Sequence, residues 1–267
     1  VLALIFALAA QPVSAQEIPR LSDGRPDMNG IWQVLNEANY DLEPHIARHS
    51  MQMREGPVNP VPSIPTLRLG AVGAVPGSLG VIVGGGKIPY TPEARALKEE
   101  NAANWIDRDP EVRCNMPGVP RATYIPMPFQ VIQSEKDVFI AYQFAGAVRD
   151  IYMDNPGPSQ VDSWMGWSVG TWEGDTLVVD VTGLGDGSWL DRAGSHHSYR
   201  LHVVEHLLHR HRKGGVVTQH HVSQAVADQD HGDARVIGDA GGGVVVGGEH
   251  GDIFPRALHF HDNGCGR

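Results

Sequence analysis

From Phe129 onward the chain alternates apolar and polar side chains with a period of two. FQVIQ (129–133), VFIAYQF (138–144) and VRDIYM (148–153) are separated only by the short turns Ser134–Asp137 and Ala145–Ala147. That alternation puts one face of each segment in a core and the other in water, so it predicts strands joined as consecutive antiparallel hairpins. Trp167–Trp172, a Glu173-Gly174-Asp175 turn, TLVVDVT (176–182) and Leu201–Leu208 continue the series. No strand–helix alternation follows, which disfavours a parallel α/β sheet. The predicted fold is mainly β: an antiparallel meander forming a sandwich or a partly closed barrel. TPEARALKEENAANW (91–105) has Pro just inside its start, early acidic residues and good helix formers, and predicts one helix. Residues 16–90 are rich in Pro and Gly with few periodic apolar runs, and read as an extended arm around the core, anchored at Gly30-Ile31-Trp32.

Composition changes the picture at both ends. The apolar run LALIFALAA, Pro12 and the small residues Val13-Ser14-Ala15 predict a signal peptide over 1–15, cleaved after Ala15, and hence a periplasmic or extracellular protein. The run is too short to span a bilayer, which takes about 20 residues, so no membrane insertion is expected. A net charge of −10 and the absence of a basic stripe argue against nucleic acid as a partner. The Gly70–Gly86 run lacks the endings of phosphate-binding loops and reads as a loop. An oxidising compartment permits a disulfide between Cys114 and Cys265, and Cys114 reads equally well as a buried thiol. All six Trp, six Tyr and seven Met precede Arg200, whereas twelve of fourteen His follow Ser195. The break predicts a core domain over 91–206 and a His- and Gly-rich tail over 207–267. That tail reads as a low-stability extension or as the product of a frame change between Glu205 and Gly215.

Several motifs are long enough to carry a resemblance: PDMNGIWQ, DRDPEVRCNMPGVPRATYIPMPFQVIQ, AYQFAGAVRDIYMD, MGWSVGTWEGDTLVVDVTG, WLDRAG and LHVVE. In these, over about Arg25 to Glu205, the chain resembles a family of secreted proteobacterial and acidobacterial proteins with no assigned reaction. The resemblance implies a fold and a compartment and brings no site residues with it. Family members continue after LHVVE with an Arg-Tyr pair and with Thr-Ile-Glu-Asp-Pro and Thr-Arg-Pro-Trp stretches, which this chain lacks.

Candidate chemistry concentrates in Ser163–His206, which holds four Trp, six carboxylates and four His among glycine turns. Gly166-Trp167-Ser168-Val169-Gly170 fits GxSxG, in which small neighbours let a serine stand exposed on a tight elbow. The elbow needs a following helix, and here a strand follows. Triads nonetheless recur on β scaffolds, so Ser168 is the candidate nucleophile, with Asp186 or Asp191 as orienter and His197 or His202 as base. A second reading places a metal on His197, His202 and His206, since residues two and four apart on a strand share a face. A third pairs carboxylates among Asp175, Asp180, Asp186 and Asp191 for glycoside hydrolysis. Trp164, Trp167, Trp172 and Trp189 read as core or as the lining of a ligand pocket, with Arg121, Arg149 and Arg192 as cations beside it. No cofactor motif is present and no resident metal is assigned. The expected function is hydrolysis of a small carboxylic ester through Ser168, Asp191 and His197 or His202. The alternatives are a non-catalytic envelope protein that binds a small ligand and a His-based metal enzyme.

Overall fold

The computed structural model describes residues 18–34, 38–49, 74–75, 77–80, 82, 86–212, 215–221, 224–228, 232–236 and 244–247. The expected leader, 1–15, and Cys265 lie outside them; Cys114 is disulfide-bonded. In chain order the elements are β1 (Gly30–Val34), β2 (Arg48–His49), β3 (Ala74–Val75), α1 (Pro92–Ala103), α2 (Trp105–Arg108) and α3 (Arg121–Tyr124). Then come β4 (Phe129–Gln133), β5 (Asp137–Tyr142), β6 (Val148–Tyr152), β7 (Trp167–Glu173), β8 (Thr176–Thr182) and β9 (Val203–Arg212). The last four are β10 (Gly215–His221), β11 (Gln224–Asp228), β12 (Gly232–Val236) and β13 (Val244–Gly247).

The fold is mainly β, as the alternation predicts. β1, β4, β5, β6, β7, β8 and β9 form a seven-stranded mixed sheet curled into a half-barrel, and β10 and β13 link β9 back to β1 and close the ring. The meander is broken once: β6 and β7 run parallel, through Ile151 opposite Ser168 and Tyr152 opposite Val169. The long, Pro- and Gly-rich connection between them carries the chain back to the starting end of the sheet before β7 begins, which a two-residue turn cannot do. Strands also continue past position 206, because β9 runs on to Arg212 and pairs with β10 from His206 to Arg212.

Inward positions follow the period of two. Phe129 and Val131 on β4, Val138, Ile140 and Tyr142 on β5, Ile151 on β6, Leu177, Val179 and Val181 on β8, and Val203 and Leu207 on β9 are all buried. Each large apolar side chain so placed contributes about 1.5–3 kcal/mol. Gly170 on β7 is required by this packing, since a Cβ there would lie 2.6 Å from Met153 Sδ and 2.8 Å from Ile151 Cγ2. The barrel is a packed core. A cavity of about 10 Å³, room for one water-sized sphere, lies among Met28, Trp32, Val131, Val138, Ile140, Leu177 and Leu207.

α1 begins where the sequence places it. The Thr91 hydroxyl accepts from the Ala94 amide at 3.3 Å, and Pro92 and Glu93 occupy the first turn. The helix stops at Asn104 rather than running on to 105, and α2 is a separate turn. The arm is tied down by charge as well as by apolar packing. Lys98 Nζ on α1 lies 3.0 Å from Glu43 Oε2, and Arg95 Nη1 donates to Glu43 Oε1 at 2.8 Å. Among the described residues no helix is long and apolar enough to cross a membrane.

Candidate functional site

Ser168 is an inward residue of β7, and strand alternation decides its chemistry. Its hydroxyl accepts from Arg149 Nε at 2.8 Å, and the residue is 1 % exposed. Arg149 in turn donates to Glu205 Oε2, whose other carboxylate oxygen accepts from Thr123 Oγ1 at 3.4 Å. Burial works against the charge of Arg149, but Glu205 and Tyr142 outweigh it and hold the guanidinium pKa above its ordinary value. Ser168 therefore belongs to a buried ionic network inside the barrel. Among the described residues the GxSxG serine has no imidazole as its hydrogen-bond partner.

The other three expected triad residues go to two further places. His202 lies on the surface, where its Nε2 is 2.7 Å from Asp180 Oδ2. Asp191 is fully buried and serves backbone: it accepts from the amides of Leu42 at 2.9 Å, Ala193 at 2.9 Å and Ser195 at 3.1 Å, and from Ser195 Oγ at 2.9 Å. His197 is bonded to a different serine. Its Nε2 lies 2.7 Å from Ser188 Oγ, with Ser188 1 % and His197 6 % exposed.

The Ser188–His197 pair is built by a local hairpin. Trp189 and His196 form an antiparallel bridge, and the Leu190 amide donates to the Ser195 carbonyl at 2.6 Å. Residues 188 and 197 are then directly opposite each other one step outside that bridge, so their side chains meet on one face. Asp191 shapes the loop by gathering the Ala193 and Ser195 amides, and Gly194 (φ +83°) completes the turn. A Cβ at Gly194 would lie 2.5 Å from the Lys98 carbonyl oxygen and 2.7 Å from the Ala102 amide, so the hairpin tip rests directly on the backbone of α1.

Its flanks are held from three sides. The Arg192 amide donates to the Asn39 carbonyl at 2.9 Å, and its guanidinium pairs with Glu111, which Arg121 also engages. Arg121 completes this buried cluster with Asp109 at 2.8 Å. Burial pushes the Glu111 carboxyl up, but the Arg192 hydrogen bond and the charges of Arg121 and Arg192 prevail and hold it below the usual carboxylate range. Tyr90 donates to the His196 carbonyl and stacks on the His196 ring, centroids 5.1 Å apart and planes within 1°. Tyr124 donates to the Leu190 carbonyl. Burial and the neighbouring Asp191 charge both raise the pKa of each phenol, so both hydroxyls stay protonated as donors.

The tautomer of a neutral His197 follows from its Nδ1 contact. Nδ1 lies 2.9 Å from the Ser198 carbonyl oxygen, which can only accept, so Nδ1 carries the proton. Nε2 then presents its lone pair to the Ser188 hydroxyl. This is the arrangement a serine nucleophile and its general base require, with a backbone carbonyl where a triad has a carboxylate. Sequence reasoning missed Ser188. The available signal was the symmetry of Ser-Trp-Leu-Asp-Arg-Ala-Gly-Ser-His-His about a turn containing Asp and Gly.

The remaining candidates do not assemble. Among the described residues no three His, Cys, Asp or Glu side chains are placed to hold a metal ion. Asp175 pairs with Arg20 at 2.8 Å and Asp180 with His202, both on the surface, while Asp191 is committed to the hairpin. Trp32 and Trp189 are buried, and Trp167 stacks on Tyr152 with centroids 4.5 Å apart. Arg121, Arg149 and Arg192, expected beside a pocket, are each bound to a buried carboxylate. Neither a protein-family model, nor a curated protein, nor a solved structure matches this chain.

Proposed function

We propose that this protein is a secreted hydrolase of small carboxylic esters in which Ser188 is the nucleophile and His197 the base. The observation that carries the reading is the 2.7 Å contact between Ser188 Oγ and His197 Nε2, the acceptor nitrogen of a neutral imidazole whose Nδ1 faces the Ser198 carbonyl. Ser188 Oγ attacks the ester carbonyl carbon and its proton passes to Nε2. The imidazolium returns that proton to the departing alkoxide as the carbon–oxygen bond breaks, leaving an acyl group on Ser188. Water then attacks the acyl carbon and gives a proton to Nε2, and as the bond from that carbon to Ser188 Oγ breaks Nε2 passes the proton to Oγ, releasing the acid and restoring the hydroxyl. The Ser198 carbonyl steadies Nδ1–H throughout, and Asp191 acts through the hairpin as a positioning residue. Export is part of the same proposal and is supported by the composition of residues 1–15 and, separately, by the resemblance of about Arg25 to Glu205 to secreted bacterial proteins.

A packed barrel favours a site at the hairpin over one inside the strands, since the cavity among Trp32, Ile140 and Leu207 holds no more than a water-sized guest. A second reading, a non-catalytic envelope protein, is favoured by the burial of Ser188. Hydrolysis of p-nitrophenyl acetate by the full chain decides between them. Ser188→Ala is expected to lower kcat/KM by about a thousandfold or more, while folded Ser168→Ala keeps the parental rate. Equal rates in the parent and Ser188→Ala would overturn the hydrolase reading and leave the envelope protein standing.

A further inference from the structure

Resting on the Ser188 reading, we infer that Trp164 sets the size of the acyl group accepted and that the natural substrates are esters of short, acetyl-sized acids. Ser188 is confined on two sides. A Cβ built on Gly118 would fall 2.4 Å from Ser188 Oγ and 2.7 Å from its Cβ, so the Gly118 backbone lies directly against the nucleophile. The same point is 3.2 Å from the Trp164 carbonyl oxygen, which brings residues 118, 164 and 188 together.

The Trp164 ring covers the next position. A Cβ on Gly187 would lie 2.9 Å from Trp164 Cη2 and 3.3 Å from Cζ3, so the indole edge lies on the peptide that leads into Ser188. Ser188 and His197 are buried, whereas Trp164 is partly exposed. The partly exposed side chain beside the residue that leads into Ser188 is therefore an indole, resting on a glycine that has no side chain of its own. Its backbone is anchored independently of the ring. The Ser163 amide donates to the Gly183 carbonyl at 2.8 Å, and the Gly185 amide donates to the Ser163 carbonyl at 2.9 Å. Displacement of the ring from Gly187 is the movement by which an ester reaches Ser188 beside the Gly118 backbone. In this arrangement the acyl group shares its space with the displaced indole, so each methylene beyond acetyl competes with the ring.

The test compares kcat/KM for p-nitrophenyl acetate and p-nitrophenyl hexanoate in the full chain, Trp164→Ala and Ser188→Ala, each checked for folding by circular dichroism. Gly187→Ala is a second variant, which retains the indole but displaces it from its seat on residue 187. The parent is expected to prefer acetate, and Trp164→Ala to raise the hexanoate-to-acetate ratio about tenfold or more, as expected when a pocket gains room for several methylenes. Gly187→Ala is expected to move the ratio the same way by a smaller factor. A Ser188-dependent activity whose ratio is unchanged in both folded variants would overturn the role of Trp164 alone. Activity equal in the parent and Ser188→Ala would overturn the site and this inference together.

Discussion

Two buried serines in this protein make nearly the same hydrogen bond and have opposite chemistry. Ser168 accepts from Arg149 Nε at 2.8 Å inside the barrel, and Ser188 lies 2.7 Å from His197 Nε2 in the hairpin. A guanidinium is a donor at every accessible pH, so it occupies a serine lone pair and can take no proton. An imidazole with Nδ1 tied to a carbonyl offers a lone pair and can take one. Burial and distance are alike at the two sites; the identity of the nitrogen partner separates a structural serine from a candidate nucleophile.

The comparison is most severely tested from the barrel side. Glu205→Ala leaves the Arg149 charge buried and unpaired, and is expected to cost about 3–5 kcal/mol in urea denaturation. Combining it with Arg149→Leu should return much of that loss, because the uncompensated charge is then gone. A single variant as stable as the parent would show that the pair does not hold the barrel interior.

On the hairpin side Asp191→Asn should act on both stability and turnover. It weakens a carboxylate that gathers the Leu42, Ala193 and Ser195 amides, for a loss of about 1.5–3 kcal/mol, and loosens the register that sets Ser188 opposite His197. The expected result is a lower melting temperature together with a fall in kcat. A fall in stability with kcat intact would detach the hairpin from catalysis.

Acid should produce the mildest change, graded and common to the supports of the hairpin. Burial raises the Glu43 carboxyl, but Lys98 and Arg95 prevail and hold it below its usual value, as the arginines do for Glu111. The folded-state pKa of each is thus lower than the unfolded one, so their contribution is complete above the unfolded value of about 4.3 and is lost as pH falls through the folded values. The melting temperature is expected to be flat from about pH 7 to 5 and to drop below about pH 4. A midpoint near neutrality would point to other groups.

The alternation of Phe129–Gln133, Asp137–Tyr142 and Thr176–Thr182 determined the strands and their inward faces, because a period of two leaves one face to bury. Thr91 and Pro92 likewise determined where α1 starts, through the needs of unpaired amides at a helix end. Local sequence could not decide that β6 and β7 run parallel, since register between distant strands depends on what the whole sheet buries. Nor could it decide which serine met a histidine. GxSxG described an exposed elbow, but β7 turned Ser168 inward onto an arginine nineteen residues away in sequence. Ser188 met His197 because contacts from Asn39, Leu42, Tyr90, α1 and Tyr124 fold ten residues into a hairpin. Side-chain periodicity is a local property and was legible in the chain; the partner of a polar group is set by elements that converge in space, and only the tertiary structure supplied it.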